Sequence, residues 1–175
     1  MSRAEAQRLG ARGVLVERGA FILLALGCIY AQLVPFSHAA GRWAAPDLLF
    51  CLAAAWLLRR PAVAPLLLVV AAGLMADILL HRPLGLGALG LLALAEVLGA
   101  RRAGIRALGF VAECLAVAAL FAAVLAGQSA LLVLAFSPGP GLAPLAQHWL
   151  ATALAYPLLV LAAKWRAGAV QGARS

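Results

Sequence analysis

The stretch Gly73-Leu-Met-Ala-Asp77-Ile-Leu-Leu-His81-Arg82-Pro83-Leu-Gly85-Leu-Gly87-Ala-Leu-Gly90 decides how this chain is read. It closes one apolar run, turns through a polar corner and opens the next run on closely spaced glycines. A carboxylate, an imidazole, a guanidinium and a proline meet here, in a chain that elsewhere is almost uniformly apolar. Long apolar runs joined by short polar corners are what repeated helical crossing of a bilayer requires, because each crossing must satisfy its own backbone.

Outward from this corner, the pattern repeats. Apolar segments span Gly19–Phe36, Trp43–Leu58, Ala62–Leu80, Leu84–Gly99, Ile105–Phe136 and Leu142–Ala163. The chain is 66% hydrophobic and 11% charged, with a mean hydropathy of +1.03. Soluble domains are about half apolar and a quarter charged, so the expected fold is an all-α integral membrane protein of six transmembrane helices. Residues 1–18 form a basic tail, 19–166 one membrane domain and 167–175 a second tail that reads as disordered. The run from Gly19 is too long for a signal-peptide core and reads as an uncleaved first helix.

The net charge of +8 does not point to nucleic acid, because the basic residues sit at segment ends and not along one solvated face. Twelve Lys and Arg fall in the two tails and in the connections after segments two and four, against two, Arg42 and Arg82, in the alternate connections. Both termini are therefore expected in the cytoplasm, with the corner at the outer surface.

Segment five is long, about 48 Å if wholly helical, and Gly127-Gln128-Ser129 is its expected weak point. Pro157 is expected to kink segment six. The spacings Leu91-Ala95-Gly99 and Gly87-Gly90 would let helices approach closely. Cys28, Cys51 and Cys114 lack metal-ligand spacing and read as small buried hydrophobes.

Four carboxylates fall in or beside the apolar segments, and charge there needs a partner. Asp47 follows Pro46 and suits a helix cap. Asp77 could make a fixed contact within the bundle or with a partner helix, or pair with His81 or Arg82 nearby. Glu113 is the deepest, and is expected to be protonated or to pair with Arg102 or Arg106. Glu96 can reach an interface. His148 beside Gln147 reads as an interfacial polar pair. No serine elbow, zinc-binding helix or phosphate-binding glycine loop is present in the sequence, so catalysis, cofactors and metals are not expected.

Pro46-Asp47-Leu48-Leu49, Trp56-x-x-Arg59-Arg60-Pro61 and Gly73-x-x-x-Asp77-x-x-x-x-Arg82-Pro83-Leu84-Gly85 follow one another here as they do in the rod shape-determining protein MreD family, which the chain resembles. The specific motifs lie between residues 46 and 90; the first and last segments match only in hydropathy. The resemblance implies a non-enzymatic scaffold of the bacterial inner membrane, needed for cell shape and side-wall peptidoglycan synthesis. Its implied partners are an MreC-like bitopic protein, RodA, a class B penicillin-binding transpeptidase and, indirectly, the actin-like MreB. The implied fold is similar to the six-helix substrate-binding subunits of vitamin-uptake transporters. Asp47, Asp77, Arg82, Gly85 and Glu113 are the expected partner or bundle contacts.

The alternative is a small-molecule-binding subunit of a membrane transporter. That alternative expects an outward pocket near Asp47, Asp77, Gln128 and His148, whereas a pure scaffold expects no enclosed polar pocket.

Overall fold

A computed structural model of the chain describes residues 3–33, 44–60, 66–136 and 141–172, with side chains described between 13 and 162. Trp43, Arg42, Pro61 and the stretch Ser137-Pro-Gly-Pro140 lie outside the described residues. Six helices follow in order: α1 (Arg3–Leu33), α2 (Leu48–Arg59), α3 (Leu66–Leu79), α4 (Leu86–Ala107), α5 (Phe110–Leu134) and α6 (Leu142–Gly172). Three are long and apolar enough to cross a membrane: Gly13–Leu33 of α1, α5, and Leu142–Ala162 of α6.

The short α2 is the hub. It packs against α1, α4 and α6, and α3, α4 and α5 continue the wall around it. Its sequence, Leu-Leu-Phe-Cys-Leu-Ala-Ala-Ala-Trp-Leu-Leu-Arg, is apolar on every side, and a helix apolar all round belongs in an interior. Nine of its residues are accordingly buried. Phe50 stacks obliquely on Phe121 of α5 (4.6 Å between ring centres), and Trp56 meets Phe21 of α1 edge-on (5.7 Å). The outward surface is leucine-rich instead: Leu23, Leu67, Leu84, Val111, Leu134 and Leu158 are all exposed. A soluble monomer rarely shows so much contiguous apolar surface.

Several boundaries differ from those read in the sequence. The basic stretch before Gly19 belongs to α1, and α6 runs on through Gly172, so the boundaries expected at 18/19 and 166/167 fall inside helices. The tail expected to be disordered is thus helical up to Gly172. α4 does not stop at Gly99 but continues through Arg101, Arg102 and Arg106, because charged side chains are good helix formers. The terminator is Gly109, whose φ of +93° a side-chain-bearing residue rarely adopts. α5 then begins at Phe110 and is continuous through Gly127, so the weak point named in the sequence does not interrupt it. Pro157 lies inside an uninterrupted α6.

α3 ends in a Schellman motif. The amide of Arg82 donates to the Asp77 carbonyl (3.0 Å), and that of His81 to Ile78 (3.4 Å). His81 takes the left-handed position (φ +52°) that glycine usually occupies. Its side chain is exposed, so His81→Gly relieves backbone strain and removes no packing. It should stabilise the protein by about 1 kcal/mol, seen as a higher thermal midpoint in detergent.

Candidate functional site

The polar residues of the bundle gather at its two ends. The α3–α4 corner defines the first, and Arg59, the last residue of α2, the second; the 12 residues of α2 separate them by roughly 18 Å.

At the corner end, Asp77 is 1% exposed, yet both of its carboxylate oxygens are engaged. Oδ2 accepts from the amides of Gly85 (3.0 Å), Gly87 (3.1 Å) and Ala88 (3.3 Å), and Oδ1 from Gly87 (3.1 Å). These are the first-turn amides of α4, which have no acceptor within their own helix. No side chain of Gly85 can cap that turn, so a residue of the preceding helix does it. The negative charge also sits at the positive end of the α4 dipole. Asp77 therefore closes one helix through its carbonyl and opens the next through its carboxylate. It pairs with neither His81 nor Arg82 through its side chain, as the sequence had left open.

The glycines make this contact possible. A Cβ on Gly87 would collide with the Asp77 carboxylate itself. One on Gly73 would lie 2.8 Å from the Ala88 backbone, and one on Gly90 2.7 Å from Val124. Gly99, which shared the small-residue spacing, meets nothing within 4 Å and carries no such role. Gly73→Ala should cost about 1–3 kcal/mol, because backbone cannot move aside as a side-chain tip can; thermal unfolding in detergent reads it.

Asp47 caps α2 as its position predicts, Oδ1 accepting from the Phe50 amide (3.0 Å). Its own amide donates to the Thr152 hydroxyl (2.9 Å), which in turn donates to the His148 carbonyl (2.8 Å). Arg82 reaches back towards the Asp47 carboxylate at 3.6 Å and donates to Gln32 Oε1 at 3.4 Å. His148 bonds not to its neighbour Gln147 but to the Ala45 carbonyl (2.7 Å), so its Nδ1 carries the hydrogen. Its ring also stands edge-on to Phe121. Gln128 donates to the Leu86 carbonyl at 3.0 Å.

These groups surround a chamber of about 40 Å³ at which all six helices meet. Gln32, Asp47, Asp77, Arg82, Gln128 and His148 supply its polar lining. An enclosed polar pocket is what a pure scaffold was not expected to have. It is small, however, with room for roughly two or three water molecules.

At the opposite end, Glu113 is buried and takes a hydrogen-bonded ion pair from Arg59 (2.6 Å) and a hydrogen bond from the Tyr156 hydroxyl. Its partner is not Arg102 or Arg106. Those residues lie on α4, and the turn at Gly109 starts α5 so that Glu113 faces α2 and α6. The contact joins three helices. Beside it, Arg60 pairs with Glu17 of α1.

The structure thus brings Asp47, Asp77, Arg82 and Gly85 to one end and places Glu113 at the other. Thr152, Tyr156, Arg59 and Gln32 were not among the residues singled out for contacts. Thr152 is the chain's single threonine and Tyr156 one of two tyrosines. A rare polar side chain in an apolar helix was the signal that could have marked them. Among the described residues, no cluster of His, Cys, Asp or Glu could hold a metal ion. Comparison of the chain with family models, with curated proteins and with solved structures finds no match in any of the three.

Proposed function

We propose that the chain is a multi-pass protein of the bacterial inner membrane, with six membrane-spanning helices and both termini cytoplasmic. It acts as a non-enzymatic scaffold or regulator of the cell-elongation complex, as the resemblance to the MreD family implies. The carrying observation is the corner: the family-like residues Gly73, Asp77, Arg82 and Gly85 all lie at one joint whose carboxylate is spent on backbone amides. A carboxylate so engaged holds helices in place and is poorly suited to moving protons. The short α2 and α3 fit six spans if longer neighbours shield them from lipid, since their 12 and 14 residues are too few to cross the roughly 30 Å hydrocarbon core alone. The cluster of arginines at the Arg59 end supports a cytoplasmic placement of that end.

Affinity capture of the tagged protein from native membranes tests this. An MreC-like protein and cell-wall synthases should be recovered, and depletion should give round cells. Recovery of transporter ATPase subunits without them would sink it. The transporter-subunit alternative has one observation in its favour, the polar chamber lined by Asp47, Asp77, Gln128 and His148. The chamber's 40 Å³ is well below the ~300 Å³ at which ligand pockets begin, whereas the adjoining cavity bounded by Arg82, Gln128 and His148, at about 280 Å³, comes close to it.

A further inference from the structure

Two cavities outside the chamber share a wall. The first is a vestibule of about 280 Å³ at the corner, bounded by Arg82, Pro83, Ser129, Pro144 and His148. The second is an open-sided groove of about 370 Å³ between α4 and α5. Leu86 and Gln128 line both, and the Gln128 amide donates to the Leu86 carbonyl (3.0 Å), so the vestibule and the groove lie on either side of this bonded pair. The groove is floored by small and apolar residues: Gly90, Ala93 and Val97 on α4, and Ala123, Gly127 and Leu131 on α5. It runs along α4 from Leu86 to Val97, roughly 16 Å at 1.5 Å per residue. Half of a hydrocarbon core of ~30 Å is ~15 Å. The groove therefore begins beside polar groups and ends about one leaflet deep.

We propose that this vestibule and groove bind one membrane phospholipid with an anionic head group. Its phosphate sits against Arg82 in the vestibule and one acyl chain lies in the α4–α5 groove. The charges fit such an occupant. Arg82 is the cation on the vestibule wall, and its contacts to Asp47 (3.6 Å) and Gln32 (3.4 Å) are both longer than the 2.7–2.9 Å of a well-made charge-assisted bond. A guanidinium has five N–H donors, and its planar fork matches phosphate. Two carboxylates stand close by: that of Asp77 is engaged by the amides of α4, and that of Asp47 lies 3.6 Å from Arg82, so the phosphate competes with Asp47 for the guanidinium. The proposal rests on the membrane placement above and not on the partner complex. A failed capture of cell-wall synthases leaves it standing.

Native mass spectrometry of the full chain, with phosphatidylglycerol and phosphatidylethanolamine of equal chain length, tests it. Phosphatidylglycerol adducts should be retained several-fold better. Arg82→Gln should abolish that preference. Asp47→Asn keeps the helix cap, since Asn caps as well as Asp, and should strengthen retention by releasing Arg82. Gly127→Leu should reduce retention of both lipids, because a Cβ there meets nothing within 4 Å and the added side chain enters the groove without disturbing the bundle. Equal retention of the two head groups, or retention indifferent to Arg82→Gln and Gly127→Leu, would overturn the proposal. On the unmutated chain, photoactivatable phosphatidylglycerol should label α4 and α5 between Leu86 and Leu131. Labelling elsewhere, or capture of a polypeptide by a photo-crosslinker placed at position 127, would also overturn it.

Discussion

Asp77→Ala should lower stability by about 3–4 kcal/mol, the largest loss expected from a single substitution in this chain. The substitution strands the amides of Gly85, Gly87 and Ala88. A buried donor without a partner costs about 1–3 kcal/mol, and loss of a cap alone about 1. The chamber next to it has space for a few waters, which should recover part of the sum. Asp77→Asn keeps one side-chain oxygen as acceptor and should lose about half as much. The thermal midpoint of purified protein in detergent and the level accumulated in membranes read both variants. A loss under about 1 kcal/mol for Asp77→Ala would mean that water caps α4 as well as the carboxylate does.

Glu113→Ala is expected to be next in size, at about 2–3 kcal/mol. It leaves the Tyr156 hydroxyl buried without its acceptor and the Arg59 guanidinium, about a quarter exposed, without its counter-ion. Breaking a fully buried pair costs about 3–5 kcal/mol, and solvent at Arg59 reduces that. Tyr156→Phe tests the other arm and should lose about 1.5–3 kcal/mol, the worth of a hydrogen bond to a charged group. Exchanging all three for apolar residues, Arg59→Leu, Glu113→Leu and Tyr156→Phe together, should recover most of the loss, because no charge is then left buried. If the triple variant is instead less stable than Glu113→Ala, the network stabilises the bundle in its own right.

The two ends were unequally legible in the sequence. The corner stood out because a polar cluster in an apolar chain is visible in composition, and because its parts lie within eighteen residues. Even so, the sequence left open whether Asp77 makes a fixed contact within the bundle or with a partner helix, or pairs with its neighbours His81 and Arg82. Its actual acceptance from the amides of Gly85, Gly87 and Ala88 depends on how tightly α3 and α4 turn, which the left-handed His81 and Gly85 set. Glu113 was legible as a charge needing a partner, but that partner is 54 residues earlier in the chain. Which helices meet across a bundle is decided by packing, and alanine-rich helices carry little sequence signature of their neighbours. Helix ends failed for a related reason. Hydropathy marks where apolar sequence stops, whereas α4 stops only where Gly109 turns the backbone.

The burial of α2 on every side has a consequence for how the protein is made. The groups that satisfy its two ends come late: Tyr156 lies 97 residues after Arg59, and Thr152 lies 105 after Asp47. At synthesis rates of about 5–20 residues per second, α2 waits roughly 5–20 s for α6 to emerge. In that interval the α6 side of its wall is missing, and its 12 residues are too few to bridge a bilayer alone. On the six-span topology proposed above, α2 is fully walled only once α6 is in place. On that topology, α1 to α3 depend on a helix made last, so truncation before α6 should cost the bundle far more than the loss of one helix suggests.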